Sequence, residues 1–324
     1  MKEKKTPFIK IFASVITIFA CICITVFPER YIPSAKKGIL LWANNVLPVL
    51  FPFFFCTALL TKIGALDDFG QMCDKPTKKL FRCGGETAYV FLMSIISGYP
   101  VGAKLISELY AEKRIDKYEA TRASCLCSTS GPLFVIGTVG TCMFGNKSAG
   151  YILFATHIVS ALICGKIFCF YGDFNKSYVS RKKQREQKNA LYECVYSSII
   201  SILVVGGFIC VFYVLSDILC DFKITYPLEF VIGKIIGNIN AQGLIKGLIE
   251  CTNGCSILSK SPSALSVSLA CGLISFGGLS VLFQSIVFLK KAEVNVGIFI
   301  LSKIIQFIVS ILLCFIVVSI INVF

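Results

Sequence analysis

In this chain of 324 residues, 56% are hydrophobic and only 15% charged, which is more apolar material than a soluble core of that size needs. With a mean hydropathy of +0.78, the chain is read as a polytopic membrane protein, and a soluble domain is excluded. The net charge of +14 does not argue for nucleic acid, because the basic residues cluster in short loops beside apolar windows, where the positive-inside rule accounts for them.

About 20 apolar residues are needed to cross roughly 30 Å of hydrocarbon. Windows of about that length run, in chain order, from Ile11 to Phe27, Ile39 to Leu60, Thr87 to Tyr110, Ser124 to Phe144, Tyr151 to Phe170, Ser197 to Leu215, Phe230 to Leu258, Leu265 to Leu289 and Val296 to Val323. The first follows the basic start MKEKKTPFIK but has no small-x-small cleavage site after it, so it reads as a retained anchor. The 17 cysteines lie mostly inside apolar windows, where they behave as small hydrophobes. Their spacing suits no zinc site, so neither a metal nor another cofactor is expected.

Loop charge sets the orientation. Lys2, Lys4, Lys5 and Lys10 at the start, and SRKKQREQK in the loop holding Lys176, Arg181, Lys182, Lys183, Arg185 and Lys188, should be cytoplasmic. If Thr87 to Tyr110 crossed fully, the basic AEKRIDKYEATR and then RKKQREQK would both fall outside. If the segment turns back at SGYP, both fall inside. Pro100 removes a backbone donor and the flanking glycines permit turn geometry, so Thr87 to Tyr110 is predicted to be a re-entrant hairpin with its tip at SGYP. A second hairpin, Phe230 to Leu258, is predicted on the external side, which leaves the C-terminus external.

The halves then share one order of parts: span, hairpin, broken span, span. The predicted organisation is an anchor span and first external loop at 1–38, a first gate-like repeat at 39–171, a basic cytoplasmic linker at 172–196 and a second repeat at 197–324. An odd number of crossings separates the repeats, so they run through the membrane in opposite directions. ISGYPVGAKL lies on IECTNGCSIL, and CSTSGPLFVIGTV on ISFGGLSVLFQSI, with a polar, glycine-bearing break at the same place in each apolar frame. The fold class is therefore all-α polytopic, with inverted-topology repeats, re-entrant helical hairpins and interrupted helices.

Interrupted segments at matching positions point to a transporter site at the midplane, because broken backbone at membrane depth is tolerated only against protein or a water-filled cavity. The four breaks, SGYP, STSGP, CTNG and SFGG, are expected to converge. The substrate-binding candidates are Ser97, Gly98, Tyr99, Pro100, Lys104, Ser128, Ser130, Gly131, Glu250, Thr252, Asn253, Gly254, Ser275, Gly277 and Gly278. Thr129 supplies a further hydroxyl at the second break. Lys104 and Glu250 are ionisable groups within apolar segments, and each either faces a cavity or snorkels to the nearer interface. Serines and glycines at breaks either bind solute or pack helices closely. Asn44, Asn45, Pro48 and Pro52 mark a kink in the second window. His157, Lys166 and Lys303 are assigned no role. HExxH, GxSxG, Walker, GxGD and paired-carboxylate patterns are lacking, so no enzyme and no catalytic residue is expected.

SGYPVGAK followed by STSGPLFVIGTVG, and later IECTNGC followed by LISFGGLSV, resemble the sporulation integral membrane protein YlbJ family, whose members carry the nucleoside-recognition (Gate) domain. The resemblance spans both halves, roughly Ile39 to Val323. It carries over Ser97, Gly98, Tyr99, Pro100, Gly102 and Lys104, then Ser130, Gly131 and Pro132, Thr252, Asn253 and Gly254, and Ser275, Gly277 and Gly278. It implies a spore-forming bacterium, a role in spore formation connected with the cortex, and a distant relation to concentrative nucleoside transporters. In that setting "nucleoside" is a label rather than a named substrate. The loops at 146–149 and 259–262 look compact for the family, leaving less room for an external accessory region.

The expected partners are the lipid bilayer and a small polar solute, with a coupling ion and a homo-oligomer left open, and no nucleic acid. A membrane scaffold for the spore envelope, in which the breaks only serve packing, is the competing expectation.

Overall fold

The computed structural model describes residues 7–172 and 189–321. Lys2, Lys4, Lys5 and the basic residues from Lys176 to Lys188, on which the orientation rests, lie outside the described residues. Among the described residues the architecture is all-α. Four helices there are long and apolar enough to cross a membrane, Lys147–Phe168, Ala190–Asp221, Ala264–Ala292 and Val296–Ile321, and the number rises to six if each of two sharply bent helix pairs is one span.

Helix α1 (Pro7–Val26) turns through 110° into α2 (Pro28–Leu41). Pro28 tolerates the first turn, where its missing N–H has no intrahelical partner. The stretch 28–38, read from sequence as a loop, is thus helical, and it runs on through a π-helical segment at Trp42–Val46 into α3 (Leu47–Lys62). The π segment lies where Asn44, Asn45 and Pro48 predicted a kink, because a proline cannot continue the regular ladder. Helix α9 (Ala190–Asp221) runs antiparallel to this long rod, tied to it by Arg30–Asp221 at one end and Lys62–Glu193, at 2.8 Å, at the other. The end of the bundle that holds Lys62 is called basal below, and the opposite end distal.

A short turn leads to α4 (Ala65–Phe81), which crosses α5 (Gly85–Ser97) where Gly85 packs on the Gly70 backbone. Helix α5 enters the bundle, the chain breaks at 98–100, and α6 (Val101–Ala111) returns. Arg114, just beyond α6, bonds Glu86 at the start of α5 at 3.1 Å and also pairs with Asp67. Both arms therefore open at the basal end, and the predicted re-entrant hairpin is present. Helix α7 (Lys117–Leu126) starts at that end with Asp116 capping the Glu119 N–H at 2.7 Å, breaks at 127–132, and continues as a π-helical segment at Leu133–Met143 to the distal end. There Asn146 caps α8 (Lys147–Phe168), which comes back until Arg122 donates to the Tyr171 carbonyl at 2.8 Å.

The second half repeats this order upside down. Helix α10 (Tyr226–Ile236) takes the place of α4, and α11 (Asn238–Ile249) and α12 (Cys251–Leu258) form the hairpin. Gly247 against Gly254 and Gly243 against Leu258 fix their antiparallel register. The hairpin is shorter than the predicted Phe230 to Leu258, because Gly237 at φ +85° separates α10 from it. Helix α13 (Ala264–Phe276), started by a Ser263/Ser266 capping box, breaks at Gly277 and continues as α14 (Gly278–Leu289) to the basal end. Asn295 meets Thr121 and Tyr171 there, and α15 (Val296–Ile321) crosses last. Apolar side chains such as Leu203, Val211, Ile308 and Leu312 remain exposed on α9 and α15, as a lipid-facing surface requires. All 17 cysteines are free.

Candidate functional site

Where a helix breaks, its last carbonyls and the next helix's first N–H groups lose their partners and must find others. At the first break Gly98 has φ +81°, and a Cβ on it would lie 2.7 Å from the Gly131 nitrogen. A left-handed backbone pressed against another backbone leaves room only for glycine. The Tyr99–Pro100 peptide is cis. This tip packs against the second break, 127–132.

Four main-chain groups at the second break are taken up by side chains. Ser94 of α5 donates to the Cys127 carbonyl at 2.7 Å and accepts from the Thr129 N–H at 3.2 Å, with its hydroxyl 2.8 Å from that of Thr129. The Ser128 carbonyl would be served in a helix by the N–H four residues on, but that residue is Pro132, which has none. Lys303 of α15 donates to it instead, at 2.9 Å. The Ser130 N–H donates to His157 Nε2 at 2.9 Å, so that nitrogen carries no proton, and Nδ1–H is left to donate to Ser275 Oγ at 2.8 Å. Ser128 and Ser130 thus act through their main chain.

The fourth break is reached from the same place. Tyr99 Oη donates to the carbonyls of Ser275 at 3.0 Å and Ile274 at 3.3 Å, at the end of α13, where Gly277 in the left-handed region (φ +84°) stops the helix. The same oxygen accepts from Lys303 at 2.9 Å, and the ammonium also lies 4.9 Å from the Tyr99 ring centroid. Gln306 Oε1 accepts the third Lys303 proton at 2.8 Å, and its own Nε2 is buried without a partner. Lys303, His157 and Ser275 are all 1% exposed or less. Gly98, Tyr99, Ser128, Ser130, Gly131, Ser275 and Gly277 therefore meet in one junction, whose hub is Lys303.

The third break joins it at one remove. Glu250 caps α12, its carboxylate accepting the Thr252 and Asn253 N–H groups at 3.1 and 2.7 Å, which satisfies two orphan donors and opposes the helix dipole. A Cβ on Gly278 would sit 3.0 Å from the Cys251 nitrogen, so the second hairpin tip touches the fourth break. Gly254 serves the close crossing with Gly247 rather than the junction. Pro100 precedes α6, and its carbonyl accepts from the Lys104 N–H at 3.1 Å. Ser97 Oγ is buried without a partner. Lys104 turns away from the junction: its ammonium lies 3.7 Å from Glu108 and 5.0 Å from the Phe54 ring centroid.

Sequence reasoning passed over Lys303, Gln306 and His157. The available signal was LSKIIQF, a lysine and a glutamine three residues apart on one face of a 26-residue apolar helix. Lys303 lies about 10 Å along α15 at 1.5 Å per residue, within reach of the helix end by snorkelling.

At the basal end, outside the spanning segments, Cys83 and Arg114 are among the groups with shifted proton affinities. Burial pushes the Cys83 thiol up to about 12, and the Glu119 carboxylate adds to the shift. Burial alone would lower Arg114, but its hydrogen bonds and charge contacts with Glu86 and Asp67 outweigh that and hold it above its ordinary value.

Fold and junction together define a class: a polytopic α-helical membrane protein built of two inverted repeats, each with a re-entrant hairpin packed on a broken span. Residues 43–146, which contain the first hairpin and the second break, match the Gate family, described as nucleoside recognition. Over 307 residues, covering 86% of this chain and 75% of the relative, the chain is 28% identical to the sporulation integral membrane protein YlbJ of Bacillus subtilis (strain 168). The resemblance drawn from SGYPVGAK, STSGP and the second-half motifs is thereby borne out. No solved structure matches the chain.

Proposed function

We propose that the protein is a transporter-like gate for a small polar solute, acting in the cell membrane during bacterial spore formation, with the N-terminus cytoplasmic and the C-terminus external. One observation carries the reading: breaks from both repeats meet at a buried polar junction centred on Lys303 and Tyr99. Two inverted repeats, the first bringing its hairpin tip and broken span to the junction and the second its broken span with its hairpin tip packed behind it, have the parts needed to rock about it. Buried hydrogen-bonding capacity at depth, including the free Gln306 Nε2, suits a polar ligand. The spore-forming context comes from the relative's name. The basal end carries Lys62, Arg82, Lys113 and Arg114, so the positive-inside rule supports a cytoplasmic basal end. No chemical step is assigned, and the protein is read as a non-enzyme.

Thermal-shift screening of the purified protein against nucleosides, amino acids and cell-wall precursors tests this reading. A saturable rise in Tm that disappears in Tyr99→Phe is expected. A second reading, a spore-envelope scaffold, is favoured by one observation: Ser94 and Lys303 already satisfy the Cys127 and Ser128 carbonyls of the second break, as pure packing would require. Under that reading no solute shifts Tm, and Tyr99→Phe lowers protein abundance or partner capture instead.

A further inference from the structure

Lys303 is a buried cation with no anion. Its ammonium has three protons, and three neutral oxygens take them: Tyr99 Oη at 2.9 Å, the Ser128 carbonyl at 2.9 Å and Gln306 Oε1 at 2.8 Å. None of the ion pairs among the described residues includes it. A charge in this position is costly unless its surroundings are arranged for it. Here the arrangement is one that chains use for small monovalent cations at membrane depth: a carbonyl freed from a broken helix, an amide oxygen and a hydroxyl. A divalent ion would call for carboxylates, which are not part of the set. The ammonium is also saturated, so an anionic solute could bind it only by displacing one of these oxygens.

The three oxygens come from three parts that must shift against one another if the gate moves. Tyr99 is the tip of the first hairpin, Ser128 belongs to the broken span, and Gln306 to the last crossing. Tyr99 Oη also donates to the end of α13 in the other repeat. Whatever positive charge sits at this point clips the two repeats together.

We propose that the Lys303 ammonium stands in the place of a monovalent coupling ion, as a cation tethered to the chain, so that the closed junction needs no sodium or potassium. The inference rests on reading this junction as the working centre. Its test involves no solute, so a missing solute response and a missing cation response are separate results.

The full chain, purified in detergent, is compared as wild type, Lys303→Ala and Lys303→Met in choline, sodium, potassium and ammonium chloride at constant ionic strength. The wild-type Tm should be the same in all four salts. Lys303→Ala should melt lower in choline and be raised saturably by at least one small cation, because the vacated oxygens can now hold it. Lys303→Met, which fills the space with an apolar chain, should show no such rise. A saturable sodium or potassium response of the wild type would overturn the proposal. So would a flat response of Lys303→Ala, or failure to recover that variant in any of the salts.

Discussion

Lys303 Nζ and Tyr99 Oη lie 2.9 Å apart although 204 residues separate them. The contact joins the last crossing of the second repeat to the hairpin tip of the first, and Tyr99 Oη passes the connection on to the Ser275 carbonyl. A phenol that accepts one buried hydrogen bond and donates another cannot lose its oxygen without leaving both partners short.

Tyr99→Phe keeps the ring and removes only that oxygen. It leaves Lys303 with two acceptors and the Ser275 carbonyl without its donor, at a cost of about 1–3 kcal/mol for each buried group left unsatisfied. The expected outcome is a protein that inserts and accumulates but fails to complement a null strain in spore formation, with a lowered Tm. Complementation at wild-type level would show that the link between the repeats is dispensable.

Gly98→Ala should be more damaging than its one added methyl suggests. The residue has φ +81°, and the new Cβ would meet the Gly131 nitrogen at 2.7 Å. Backbone strain of about 1–3 kcal/mol adds to the cost of separating two packed breaks. Gly137, whose Cβ would find only Leu133 Cδ1 at 3.7 Å, is the control: Gly137→Ala should leave Tm and complementation almost unchanged.

Glu250 is placed as a helix cap. Glu250→Ala should cost about 0.5–2 kcal/mol through loss of the two N–H acceptors. Glu250→Asp, a good cap residue, should recover most of it. If Glu250→Asp and Glu250→Gln both keep wild-type stability yet abolish complementation, the carboxylate has a role that capping does not explain.

The hairpin was legible in the sequence for a reason of charge rather than of local shape. SGYP could have been a kinked crossing, and only the parity of the basic loops required a turn; the Glu86–Arg114 bond now closes the hairpin mouth. The repeat was legible because the breaks themselves recur. What the sequence could not convey was which side chains fill the breaks. Lys303 and His157 lie in apolar helices remote in sequence from the motifs, and a helix face gives no sign of which neighbour it will meet. Lys104, which the motif includes, faces Glu108 instead. Its spacing from Pro100 fixed its depth but not its direction. Residues 28–38 misled by composition, since PERYIPSAKK looks like a loop until its apolar positions are matched to α9.

Topology and thiol reactivity can be read in one experiment. A reporter inserted after Lys113 should be cytoplasmic, because the loop that follows α6 opens on the same side as the start of α5. An external signal would mean that Thr87 to Tyr110 crosses the membrane. In the same preparation, exposed Cys142 should react with a maleimide in the folded protein, while Cys83 should not. Cys83 is 1% exposed and its thiol is pushed up to about 12, so at neutral pH the reactive thiolate is scarce as well as shielded. Arg114→Ala should change this, because losing the clamp on Glu86 and Asp67 loosens the mouth of the hairpin beside the Cys83 turn. Labelling of Cys83 should rise well before global unfolding, whereas labelling that waits for the main transition would mean the hairpin is held by its packing alone.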